Sequence, residues 1–116
     1  TRRLGGRPHD RGHAAGHGSL GLAADPDHPV SRQSALFGYS ASKTAVNAFT
    51  VRLANELRAK KIKVNAACPG YVATDLNHHS GVRSVQQGAE IIVRLATLPA
   101  DGPTAGFFDD AGSVIW

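Results

Sequence analysis

A long helical pattern that runs straight into an abruptly ended apolar strand constrains this chain most. Tyr39 opens the pattern and Lys60 closes it. Between them Ala41, Ala45, Val46, Ala48, Phe49, Leu53, Ala54 and Leu57 recur at helical spacing. They spread over more than half the circumference, which predicts burial on two sides, with a sheet on one and a partner subunit on the other. Arg58, Lys60 and Lys61 sit at the C-terminal end, where the macrodipole favours cations. Residues 62–68, Ile-Lys-Val-Asn-Ala-Ala-Cys, alternate and then turn fully apolar. They read as a parallel strand, buried towards its C-terminal end and stopped by Pro69-Gly70. In open α/β sheets ligands bind just beyond the C-terminal ends of the strands. The next residues, Tyr71-Val72-Ala73-Thr74-Asp75-Leu76, are therefore the place to look for ligand contacts.

The helix opens with Tyr39-Ser40-Ala41-Ser42-Lys43. Residues four apart share a helix face, one turn from each other. A cation held near a phenol favours the phenolate, which makes the tyrosine a usable proton donor or acceptor. Any helix can also carry Tyr and Lys at this spacing by chance, so the pair alone decides nothing.

The 116 residues suffice for one small domain. Formal charge is +4, but four of the thirteen basic residues lie in residues 1–18, opposed only by Asp10. Much of the charge is thus a property of the tail. That tract is rich in Gly, Arg and His, has no periodicity, and reads as disordered. His9, His13 and His17 recur every four residues, but the intervening glycines disfavour the helix that a metal stripe needs. The tract also lacks the aromatic platform of a nucleic-acid binder. We expect no metal and no nucleic-acid partner. No apolar run is long enough to span a membrane. The one cysteine, Cys68, rules out an internal disulfide and fits a reducing, cytoplasmic setting. The chain begins with Thr1 rather than Met and reads as a piece of something longer.

Asp25-Pro26-Asp27-His28-Pro29 is strong turn punctuation within a loop-rich approach, residues 19–38. This approach is either a wall of a substrate pocket or a plain connector. Residues 77–83 read as loop, with His78 and His79 on the surface. Ser84 and Gln87 have the spacing of a capping box, opening a helix from Val85 to about Leu98 that Pro99 stops. Gly106-Phe107-Phe108-Asp109 reads as a short last strand, and Asp110–Trp116 as a tail that packs back.

Tyr39-x-x-x-Lys43, Ser42-Lys43-Thr44-Ala45, then Val64-Asn65-x-x-x-Pro69-Gly70-x-Val72-x-Thr74-Asp75, in this order and spacing, resemble the C-terminal half of a short-chain dehydrogenase/reductase, in particular its carbonyl-reductase-like members. The resemblance covers residues 19–116. It implies an α/β fold, a partial Rossmann-like doubly wound parallel sheet of two or three strands with two main helices. It implies hydride transfer between NAD(P)H and a small-molecule carbonyl or secondary alcohol, with NADP favoured over NAD. Tyr39 is the implied acid/base. Lys43 would lower its pKa and hydrogen-bond the nicotinamide ribose. Pro69, Gly70, Val72 and Thr74 would line the nicotinamide end, the Val72 backbone and the Thr74 side chain holding the carboxamide. Read without the family, Thr74 is an N-cap for a short helix. A homo-oligomer through the 39–60 helix is implied for the intact protein.

Two departures stand out. No Gly-x-x-x-Gly-x-Gly loop follows a strand, so the pyrophosphate has no evident seat. Ala15 occupies the place of the family's catalytic serine, and Ser19 does not inherit the role. Residues 1–18 are accordingly read as a non-native tail ahead of a family unit at 19–116, and the chain alone is expected to be inactive. The competing reading is a non-catalytic remnant that serves only for association.

Overall fold

A computed structural model of the chain describes residues 16–33 and 36–116. The order is a 3-10 turn (Gly16–Gly18), α1 (Leu20–Ala24), a second 3-10 turn (Pro29–Arg32), α2 (Phe37–Leu57), β1 (Ala66–Ala67), α3 (Val85–Ala96), β2 (Phe107–Asp109) and β3 (Gly112–Ser113). The architecture is α/β with a small mixed sheet in the order β1-β2-β3. β1 pairs parallel to β2, with Ala66 opposite Phe107 and Ala67 opposite Phe108, while β2 and β3 form an antiparallel hairpin.

The expected strand at 62–68 is regular only at Ala66–Ala67; Ile62 is exposed, residues 63–67 are half-buried and Cys68 is buried. Its hydrogen bonds reach further than its label. Ala105 N–H donates to the Val64 carbonyl, Ala66 N–H to Gly106 and Cys68 N–H to Phe108. Every one of these bonds joins the same neighbour, so the segment is ordered along one edge. The sheet also departs from an all-parallel one. Asp109 accepts from the N–H groups of Ala111 and Gly112, and this local Asx turn reverses the chain into β3. The tail packs back as expected: Trp116 stacks on Phe107 with centroids 5.5 Å apart, and its carbonyl accepts from Gly21 N–H.

α3 forms as read. The Ser84 hydroxyl accepts from Gln87 N–H, and the Gln87 side chain accepts from Ser84 N–H. Ile91 is completely buried, and with Phe107 and Cys68 it forms the core on the sheet. α2 spans 21 residues. It ends where a 3-10 turn at Arg58–Lys60 leads to Lys61 in the left-handed region, φ 57°. The predicted two-sided burial of α2 is not what this chain achieves. Only Thr50 and Ala54 are buried in it, while Phe49 is 65% exposed. The apolar belt is wide, but among the described residues too few elements pack against it to cover both sides.

Gly16–Gly18, read from sequence as part of the tail, form a buried turn against α2. Residues 19–24, read as loop, include α1, with the fully buried Ser19 as its N-cap. The Ser19 hydroxyl accepts from Leu22 N–H and donates to the Ile115 carbonyl at 2.7 Å. The rest of the expected tail, with His9 and His13, lies outside the described residues.

Candidate active site

Tyr39 and Lys43 occupy the first two turns of α2. Helix geometry alone brings them together, and the Lys43 ammonium stands 5.3 Å from the centroid of the Tyr39 ring. The cation thus lies over the face of the ring. Tyr39 is 40% exposed, within reach of a ligand. A buried turn backs the pair. The His17 ring meets the Tyr39 ring edge to face at 5.7 Å, and the Gly18 carbonyl accepts from Thr44 Oγ1 and Asn47 Nδ2.

Between α2 and the sheet runs an open cleft of about 340 Å³. Tyr39, Lys43, Val46, Asn47 and Thr50 line it from the helix, and Asn65–Ala67, Pro69 and Phe107 from the sheet side. Asn47 is tied to Gly18 and Asn65 to Pro103 and Gly106, so both amides are committed to backbone groups. Of the six expected cofactor contacts, Tyr39, Lys43 and Pro69 share this cleft. Gly70, Val72 and Thr74 continue along the loop beyond the end of β1. None of the described residues 19–33 lines this cleft.

The loop after β1 is held from three directions. Arg83 N–H donates to the Tyr71 carbonyl and Ala73 N–H to the Arg83 carbonyl, forming a one-residue parallel bridge. Asn77 accepts from Thr74 N–H at 3.0 Å and donates to the Val72 carbonyl at 2.8 Å. Thr74 does cap a short helical turn, Asp75–Asn77, as its bland reading held. The Arg83 guanidinium pairs with Asp110 and donates to the Gln87 carbonyl, clamping loop, α3 and hairpin together. Its aliphatic stem lies over Gly70, and a Cβ there would come within 2.7 Å of it.

His78 and His79 are exposed, and His79 pairs only with the neighbouring Asp75 at 2.9 Å. No group of three potential metal ligands occurs among the described residues. No helix among them is long and apolar enough to cross a membrane.

Sequence reasoning missed His17, Asn47 and the Arg83–Asp110 clamp. Asn47 was recoverable, since it follows Lys43 by four residues on the same face. Nothing local signals that Arg83 and Asp110 meet. The Gly-x-x-x-Gly-x-Gly spacing does occur, at Gly12, Gly16 and Gly18. The two described glycines of that set are buried under α2, with no described strand before them, and so do not form an open phosphate cradle.

Residues 30–84 match the family model of the short chain dehydrogenases. Salutaridine reductase of Papaver somniferum is 44% identical over 71 residues, which is 61% of this chain and 22% of that protein. Carbonyl reductase [NADPH] 3 of Rattus norvegicus is 45% identical over 67 residues, 54% of this chain and 24% of that protein. The solved structure of salutaridine reductase superposes with a TM-score of 0.59 at 43% identity, covering 66% of this chain and 25% of that one. Carbonyl reductase Sniffer of D. melanogaster gives 0.65 at 25% identity, over 86% of this chain and 38% of that one. Over residues 30–84 the chain has the sequence of a short-chain dehydrogenase/reductase fragment. It spans less than a quarter of the length of these curated relatives.

Proposed function

We propose that this chain carries the acid/base half of an NAD(P)-dependent carbonyl reductase site. Tyr39 exchanges a proton with the oxygen of a small-molecule ketone, aldehyde or secondary alcohol. Lys43, one helical turn away, sets its ammonium over the phenol ring and donates to the nicotinamide ribose. The observation that carries the reading is the Lys43 ammonium over an accessible Tyr39 ring, in one cleft with Pro69 at the end of β1. Pro69, Gly70, Val72 and Thr74 line the nicotinamide end. The Val72 carbonyl already accepts from Asn77, so its N–H and the Thr74 hydroxyl are the groups offered to the carboxamide. The residues present suit the nicotinamide end: a strand-end loop, held rigid, faces a helix that presents a phenol and a cation. The bound cofactor supplies the hydride. NADP is favoured over NAD by the similarity to carbonyl reductase [NADPH] 3.

The experiment is carbonyl reduction by the chain with reduced nicotinamide mononucleotide, which needs no pyrophosphate-adenosine seat, run beside NADPH. Tyr39→Phe should cost roughly 10²- to 10⁴-fold in rate, the usual contribution of a positioned general acid. An unchanged rate in Tyr39→Phe sinks the mechanism. Because no strand-borne Gly-rich loop occurs among the described residues, NADPH is expected to offer little over the mononucleotide.

A second reading, association without catalysis, is favoured by the exposed apolar belt of α2. It predicts a concentration-dependent dimer by sedimentation and no rate with either cofactor.

A further inference from the structure

His17 stands beside the acid/base pair without any role assigned to it above. Its imidazole is 4% exposed, and its ring plane lies at 79° to that of Tyr39. The turn that carries it has little freedom. The Gly18 carbonyl takes two hydrogen bonds from α2, at 3.2 Å from Thr44 and 3.0 Å from Asn47. A Cβ on Gly18 would fall 2.9 Å from the Lys43 backbone carbon, so the turn approaches α2 as closely as glycine allows. On its other side Ser19 N–H donates to Gly16, and the Ser19 hydroxyl ties the turn to Ile115. The imidazole is thus anchored through both ends of a short turn, against the one ring whose orientation the chemistry needs.

Resting on the acid/base reading of Tyr39, we propose that His17 is a positioning residue of this site. Its buried ring packs edge-to-face on the phenol and holds it in the orientation that also places it under the Lys43 ammonium. Edge-to-face pairs have a preferred geometry, so a fixed imidazole restricts where the phenol ring settles. The part that acts is the flat ring, and a phenylalanine at position 17 keeps it while alanine does not. Loss of the ring removes one of the two ring contacts described for Tyr39. Misplacement of a reacting group by about 1 Å can cost up to roughly a hundredfold in rate.

The test uses the full chain with ring-labelled tyrosine. Only Tyr39 and Tyr71 are present, and Tyr71→Phe assigns the signals. His17→Ala should displace the Tyr39 ring resonances and leave those of Tyr71 in place. With reduced nicotinamide mononucleotide and a ketone it should lower kcat roughly tenfold to a hundredfold while KM stays within about twofold. His17→Phe should restore both the resonances and kcat. Unmoved Tyr39 signals in a folded His17→Ala protein overturn the contact. Moved signals with an unchanged kcat overturn the positioning role, as does failure of His17→Phe to rescue. If His17→Ala does not fold, His17→Phe alone decides: near-normal signals and kcat support the ring-packing role, and a lost kcat in a folded protein overturns it. No rate in the unsubstituted chain, or a full rate in Tyr39→Phe, brings down the acid/base reading itself. The resonances then still report separately whether the imidazole holds the phenol.

Discussion

The two sides of the site, the loop that continues from Pro69 and the helix α2, are built by opposite means. The wall that follows β1 is a loop held by polar groups, each with a named partner: Asn77 on Thr74 and Val72, Arg83 on Tyr71 and Asp110, Ser84 and Gln87 on each other. Beneath it, Ile91 of α3 is fully buried. The wall on α2 is a helix of 21 residues of which only Thr50 and Ala54 are buried, and among the described elements its most extensive contact is with the short turn at Gly16–Gly18. Side-chain packing supplies most helical stability in proteins. The first wall is therefore specified within the chain, whereas the second, which carries Tyr39 and Lys43, depends on what covers α2.

The comparison predicts where stability resides. Ile91→Ala should be the costliest change, at about 2–5 kcal/mol by urea unfolding, as for other fully buried aliphatic truncations. A loss under about 1 kcal/mol would show that α3 does not organise the sheet and would break the contrast. Gly81→Ala comes next. A Cβ at Gly81 would lie 2.2 Å from both Ala73 N and the Val72 carbonyl carbon, so two backbone segments would have to part. About 1–3 kcal/mol is expected, as for other overpacked sites. Because the displaced residues are Val72 and Ala73, the same variant should weaken reduced nicotinamide mononucleotide more than it weakens the fold, read as a raised KM.

Arg83→Ala tests the clamp. Arg83 and Asp110 retain 29% and 35% side-chain exposure, so water screens the pair and its electrostatic share is small. The stem over Gly70 and the bond to the Gln87 carbonyl add packing and a charge-assisted contact. About 1–2 kcal/mol is the expected sum. Arg83→Lys should recover less than half of it, since the lysine stem is shorter and its ammonium lacks the rigid guanidinium plane that fixes the geometry at Gln87 and Asp110. Full recovery by lysine would reduce the clamp to a simple ion pair.

Local chemistry was legible from sequence and long-range partnership was not. The capping box at Ser84 and Gln87, the helix through Tyr39 and Lys43, the strand stop at Pro69-Gly70 and the short turn behind Thr74 each depend on residues within four positions. Each appears where the spacing places it. Arg83 and Asp110 are 27 residues apart, and Gly18 and Asn47 are 29 apart. Neither pair has a periodic or compositional mark. The third strand was missed because two residues, Gly112 and Ser113, are too few to show alternation. The exposed belt of α2 is of the same kind: a wide apolar belt states what a helix can bury and does not say which surface covers it.

Phe49→Ser bears on that last point and should have the smallest effect. At 65% exposure Phe49 has little apolar area withdrawn from water, so substitution should change stability by no more than about 0.5 kcal/mol in dilute protein. The dependence on concentration is the informative part. If α2 remains uncovered, the effect stays the same from dilute to concentrated protein, and the two walls differ as described. If another surface covers the helix, binding to the folded form stabilises it by mass action. The wild-type midpoint would then rise with concentration while that of Phe49→Ser stayed flat. A gap that widens in this way would mean that the α2 wall is completed by association, and that the orientation of Tyr39 and Lys43 is set in part by the surface that covers the helix.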